Sequence, residues 1–141
     1  MARNNEAVLV ECPFIAQLAK MGWEHKQGDK FIAIRTERRS FFDVLLENRI
    51  KDALFKINKK DKPWLDEARV DDAINQLKRI KGENVVQANE AAYDLIMNGA
   101  VVKGESTRNT TIQFIDFENW AENDFLAINQ FRVNKQKGNT V

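Results

Sequence analysis

The chain reads as an α+β protein, mixed α/β in its element order, and three observations predict this. Apolar residues recur at helical spacing in four segments, the pattern turns strand-like after Gly104, and Pro13 and Pro63 both sit at plausible element starts. The 141 residues suit a single domain spanning 1–141, and 43% hydrophobic with 30% charged residues is a globular composition. Lys and Arg number 22 against 21 Asp and Glu, so the formal charge of +1 argues against a polyanion-coating protein while leaving room for local patches. Six glycines, broken apolar periods and one cysteine exclude collagen-like, coiled-coil and disulfide-scaffold classes.

Pro13 to Met21 places Phe14, Ile15, Leu18 and Met21 on one helical stripe, with Pro13 in a first turn where its missing N–H costs nothing. Gly22 supplies a left-handed stop, and Trp23 is expected to fold back onto the stripe. Lys30 to Arg35 alternates and predicts a short strand. Ser40 with Asp43 resembles a capping box, and Phe42, Leu45, Leu46, Ala53, Leu54 and Ile57 predict a helix over 41–57. A polar break at 58–63 follows. Val70, Ala73, Ile74 and Leu77 make a second amphipathic helix ending near Gly82; Ala88, Ala91, Ala92, Leu95 and Ile96 make a third, stopped by Asn98-Gly99. Thr110 to Phe117 and Phe125 to Val133 read as strands able to pair antiparallel, joined by an acidic, turn-rich connection. The final residues, 135–141, resemble a turn leading towards a further strand, so the sheet reads as unfinished; a frayed tail gives the same pattern.

The apolar run Ala7 to Val10, interrupted by Glu11, is too short for a signal peptide or a membrane span, and Cys12 has no partner for a disulfide. A soluble, cytoplasmic protein with no membrane partner is expected. No phosphate-cradling glycine loop and no nucleophile elbow occurs. His25 is the one histidine, so two-histidine metal sites are excluded within the chain, and a surface residue is the plainer reading of it than a general base. Cys12 reads as a packed small residue rather than a reactive thiol. Asp116, Glu118, Glu122 and Asp124 form an acidic run that could hold Mg²⁺ or simply be a solvated loop. Glu11 precedes an apolar helix, where a carboxylate suits the helix dipole, or it serves near a metal. Basic residues cluster at Arg49, Lys51, Lys56, Lys59, Lys60 and Lys62, and again at Arg132, Lys135 and Lys137; both fit phosphate contacts, and both fit exposed charged surfaces.

Two motifs carry a resemblance. Glu11-Cys-Pro-Phe-Ile-Ala-Gln-Leu-Ala-Lys-Met-Gly-Trp23 resembles the opening helix of the restriction (R) subunit of type I restriction–modification enzymes, E-x-x-x-I-x-x-L ending in Gly-Trp or Gly-Tyr. Ile115-Asp116-Phe117, Asn123-Asp124-Phe125 and Ile128-Asn129-Gln130-Phe131-Arg132-Val133 resemble that subunit's I-D-F, N-D-F and I-N-Q-F-x-V series. Asn58, the helix at 70–80 and Asn89 also fit, so the resemblance spans nearly the whole chain.

It implies helices followed by strands of an incomplete restriction-endonuclease-like domain of the P-D…(D/E)-x-K class. In the full subunit this domain is fused to an ATP-driven DNA motor, with Mg²⁺ and ATP as cofactors. DNA and the methyltransferase and specificity subunits are the implied partners. The family's R-P-D and E-x-K motifs would follow Val141, so the core catalytic residues and the ATP-binding motifs fall outside this sequence. No bound cofactor is expected for these residues alone. Glu11 matches the family's helix-one glutamate and carries over as an accessory acid; Asp116 matches no catalytic position. Arg132, Lys135 and Lys137 are the DNA-contact candidates, and no metal ligand is assigned. The expectation is an inactive N-terminal fragment of the DNA-cleaving module. The alternative is a non-catalytic protein-interaction module with weak non-specific DNA binding.

Overall fold

The computed structural model describes residues 6–135, within which four α-helices and four short strands form. The chain divides into two compact units: Met1–Leu46 with Phe125–Val141, and Glu47–Asp124.

In the first unit a π-helical turn, Ala7–Glu11, runs directly into helix α1, Cys12–Lys20. The α-helix starts within one residue of the expected position, with Pro13 in its first turn as read from the sequence, and the π-helical turn extends the helical run upstream. Pro13 has no N–H for the carbonyl four residues back, and the wider turn, closed by Cys12 N–H donating to Ala7 C=O, accommodates that gap. Glu11 thus lies within a continuous helical run, which removes the helix-dipole explanation for its charge. Strand β1, Glu24–Gln27, follows.

The strand expected at 30–35 does not form. Asp29 Oδ1 accepts from the N–H groups of Phe31 (2.8 Å) and Ile32 (3.0 Å), the donors a ladder would use, and Ala33–Thr36 closes into a 3₁₀ turn. The helix expected from residue 41 begins only at Glu47, as α2, Glu47–Asn58. Ser40 caps a local turn instead, its Oγ accepting from Phe42 N–H at 3.0 Å, while Arg38 engages the carbonyl of Asp43 at 3.0 Å and withholds it from a helical ladder.

The second unit holds α2, α3 (Glu67–Lys78), α4 (Val85–Asn98), β2 (Ala100–Lys103) and β3 (Asn109–Ile112). The periodicity located α3 and α4, although α3 ends at Lys78, short of the expected end near Gly82. Asp66 and Asn84 cap them by accepting from Arg69 N–H and Gln87 N–H, and α4 ends at Gly99 as expected. The core lies here: Leu54, Leu65, Val70, Ala73, Ile74, Ala100, Val102 and Ile112 pack together. Buried Asn58 ties α2 to the segment after β3, its Nδ2 donating to the carbonyls of Leu54 and Gln113 and its Oδ1 accepting from Gln113 N–H, each at 2.8 Å. That last bond takes Gln113 out of the ladder, so β3 stops at Ile112 rather than running to Phe117.

The two late strands do not pair with one another. β3 pairs antiparallel with β2, Ala100 opposite Ile112, whereas β4, Leu126–Asn129, pairs parallel with β1, Glu24 opposite Leu126 and Gln27 opposite Asn129. Among the described residues no helix is long and apolar enough to cross a membrane.

Candidate functional site

The site lies within the first unit, where α1, β1 and the end of β4 meet. β4 is apolar up to Ile128 and then polar, and its last residue, Asn129, is followed by Gln130 in the left-handed region (φ 53°). Successive strand side chains point to opposite faces. The left-handed turn at Gln130 breaks that alternation and brings two consecutive amides to one carboxylate. Glu11 Oε1 accepts from Gln130 Nε2 at 2.5 Å, and Oε2 accepts from Asn129 Nδ2 at 3.3 Å. The half-buried Glu11 therefore sits between two donors, 118 and 119 positions away in sequence. Glu11 lines a cavity of about 550 Å³ together with Cys12, Gln27 and Lys30, and these two bonds leave its carboxylate further acceptor capacity.

Two features brace this arrangement. Gly28 N–H donates to Asn129 C=O at 2.9 Å, and a Cβ at Gly28 would come within 2.1 Å of the Gln130 carbonyl oxygen, so only glycine admits this approach. Arg38 is 2% exposed; it donates to Thr36 Oγ1 (2.9 Å), Asp43 C=O (3.0 Å) and Arg132 C=O (2.8 Å), and its guanidinium lies 3.7 Å from the centroid of the Phe131 ring. Burial pushes its pKa down against the charge of Asp43, and with carbonyl partners and an aromatic face it fastens the segment after β4. Arg38 escaped the reading of the sequence, because it sits in a stretch without periodicity and the segment it fastens, at Phe131 and Arg132, lies more than ninety residues on.

The other sequence candidates fall as follows. Arg132 is exposed, yet its guanidinium is engaged by Lys30 C=O and Asn134 Oδ1 and lies over Phe41, 4.9 Å from the ring centroid. Lys135 is exposed, and Lys137 lies outside the described residues. His25 is exposed and its Nε2 meets Asn129 Oδ1 at 2.8 Å. Cys12 is exposed at the rim of the Glu11 cavity, which corrects its reading as a packed residue. Trp23 does turn back, its N–H donating to Leu18 C=O, but its ring meets Phe125 at 5.1 Å.

In the second unit the basic run and the acidic run answer one another. Arg49 pairs with Asp124 (2.9 Å), Lys56 and Lys60 reach Glu122 (3.7 and 3.4 Å), and Lys51 bridges Glu67 and Asp71 (2.9 Å each). The hydrogen bonds to Glu67 and then Asp71 hold the Lys51 ammonium charged well above its ordinary range. Asp116 accepts from the N–H groups of Glu118 and Asn119 (3.1 and 2.8 Å) and so closes a turn. Most of these charges serve the unit itself. Its sequence carries twelve basic against fifteen acidic side chains, leaving −3, while the first unit carries ten against six, leaving +4.

Among the described residues no group of three or more His, Cys, Asp or Glu could hold a metal ion. Glu11 offers one carboxylate, already engaged by two amides, so these residues do not by themselves form a Mg²⁺ site. The sequence has no loop that would cradle ATP phosphates.

A mixed α+β chain with one helix carboxylate clasped by strand amides, set in a basic unit, is the class of protein defined here. Residues 3–141 match the family model described as the type I restriction enzyme R protein N terminus, and the chain belongs to that family. It is 31% identical over 136 residues to a Methanocaldococcus jannaschii protein named as type I restriction enzyme MjaIXP endonuclease subunit, covering 94% of this chain and 13% of that protein. It is 27% identical over 132 residues to the Haemophilus influenzae type I restriction enzyme HindI endonuclease subunit, covering 88% of this chain and 12% of that one. The chain thus spans only about an eighth of these relatives' length. No solved structure matches it.

Proposed function

We propose that this chain forms the N-terminal side of the nuclease domain of a type I restriction R subunit, with 1–141 acting as one domain of the restriction-endonuclease-like P-D…(D/E)-x-K class. The observation that carries this reading is the contact of Glu11 with Asn129 and Gln130. It joins the helix-one glutamate to the I-N-Q-F-x-V motif. In this reading Glu11 is an accessory acid beside a centre whose Mg²⁺-holding and water-activating residues follow Val141. ATP serves the motor of the longer protein, in the cytoplasm, assembled with methyltransferase and specificity subunits. The charge of +4 on the first unit supports DNA approaching from that side, with Arg132, Lys135 and Lys137 as backbone contacts.

The 141 residues alone are expected to leave plasmid supercoiled with Mg²⁺, and reproducible nicking that disappears in Glu11→Ala would overturn this. Retardation of duplex DNA should weaken steeply with salt, with a log–log slope of about −3 if all three basic residues meet phosphates. Retardation that is absent or indifferent to salt removes the DNA-facing reading. A second reading, a protein-interaction module, is favoured by α4, which contributes no buried residue and exposes Val85, Val86 and Tyr93.

A further inference from the structure

Asn129 makes two contacts through opposite ends of one amide. Its Nδ2 donates to Glu11 Oε2 at 3.3 Å, and its Oδ1 lies 2.8 Å from His25 Nε2. An amide oxygen only accepts, so the His25 contact requires Nε2 to carry the proton. A carboxylate only accepts, so the Glu11 contact requires the amide nitrogen to face it. The Glu11 contact fixes the orientation of the amide, and in that orientation the Oδ1 facing His25 calls for the proton on Nε2; a reversed amide would set Oδ1 against the carboxylate and lose the Glu11 contact. The parallel register makes this geometry available: His25 and Asn129 lie on adjacent paired strands, with Lys26 opposite Ile128 and Gln27 opposite Asn129.

We propose that Asn129 and His25 are positioning residues for Glu11. His25 orients the Asn129 amide, and that amide, with Gln130, holds the Glu11 carboxylate in one rotamer facing the cavity. The proposal rests on Glu11 being the acid that matters in the nuclease reading. A free glutamate at a helix surface samples several rotamers. Two donors anchored on the strand restrict it to one, so the carboxylate meets an incoming group without first reorganising. His25 then has a purpose that neither a bare surface residue nor a general base explains, because it touches the acid only through the amide.

The test uses the isotope-labelled chain by NMR, reading the His25 ring nitrogens, the Asn129 side-chain NH₂ exchange rate and the side-chain couplings that report the Glu11 rotamer. His25 is exposed, so His25→Phe should leave the fold intact. The parent should show the Nε2-protonated ring, a single Glu11 rotamer, and Asn129 amide exchange slowed about tenfold, the scale of a hydrogen bond to a charged group. In His25→Phe that protection should vanish and the Glu11 couplings should average. In His25→Gln, whose amide can still donate, both should recover. Glu11 couplings identical in the parent and His25→Phe overturn the proposal, as does a ring protonated on Nδ1 alone. The nuclease reading fails separately, if an R subunit of this family cleaves DNA undiminished when its matching glutamate is replaced by Ala.

Discussion

Gly28→Ala probes how tightly the site is built. The added Cβ would stand 2.1 Å from the Gln130 carbonyl oxygen and 2.6 Å from that of Asn129, where ordinary contact begins at 3.4 Å. The strands must therefore separate by about 1.3 Å, the difference between 3.4 and 2.1 Å, and both obstacles are backbone that cannot swing aside. Overpacking of this kind costs about 1–3 kcal/mol. Losing the Gly28 N–H to Asn129 C=O bond adds about 1 kcal/mol. The variant should lose about 2–4 kcal/mol in urea unfolding with the slope unchanged, and Gln130 should release Glu11. Gly22→Ala is the control: Gly22 has φ 91° but nothing within 4 Å of a Cβ, so only backbone strain of about 1 kcal/mol applies. A Gly28→Ala protein within about 0.5 kcal/mol of the parent, with the Gln130 side-chain amide unshifted, refutes the close β1–β4 approach.

Two further outcomes are expected. Arg38→Lys keeps the charge but cannot reach Thr36, Asp43 and Arg132 together or lie flat against Phe131, so thermal unfolding should show a loss of about 2–3 kcal/mol; an unchanged midpoint would mean the guanidinium fork is dispensable. The Asp29 carboxyl is held below its ordinary value of 3.8, first by the N–H of Phe31, then by that of Ile32 and by Arg35. A lowered acid pKa contributes stability that is present above 3.8 and fades as pH falls through the folded value. The amide signals of Phe31 and Ile32 should therefore shift together in that acid window and not in Asp29→Asn; movement of these signals between pH 5 and 7 would contradict this.

How far the fold was legible follows from where each element's partners lie. α3 and α4 depend on near neighbours, so four apolar residues at i, i+3, i+4 and i+7 and a good cap suffice to find α3. β1 is Glu-His-Lys-Gln, with no apolar alternation, and it exists because β4 pairs with it about a hundred residues later. β2 does alternate, Ala100 and Val102 inward and Val101 and Lys103 outward, but four residues between Gly99 and Gly104 are too few for the pattern to stand out. The misplaced starts at 30–35 and 41 share one cause, since side chains of Asp29, Arg38 and Ser40 capture backbone groups that regular structure would have used.

The site divides in the same way. Each of its motifs was visible, but the bond between them was not, because strand alternation predicts that Asn129 and Gln130 face opposite ways. Only the left-handed conformation at Gln130 lets both reach Glu11, and a non-glycine residue there costs about 1 kcal/mol or more. That local cost is offset by the 2.5 Å bond that Gln130 Nε2 donates to the carboxylate. The acid is thereby one of the contacts that hold the β4 end in this turn, beside the Gly28 N–H to Asn129 C=O bond and the Arg38 bond to Arg132 C=O. Removing the Glu11 side chain should accordingly release the Gln130 side chain, so the acid and its clasp behave as one unit.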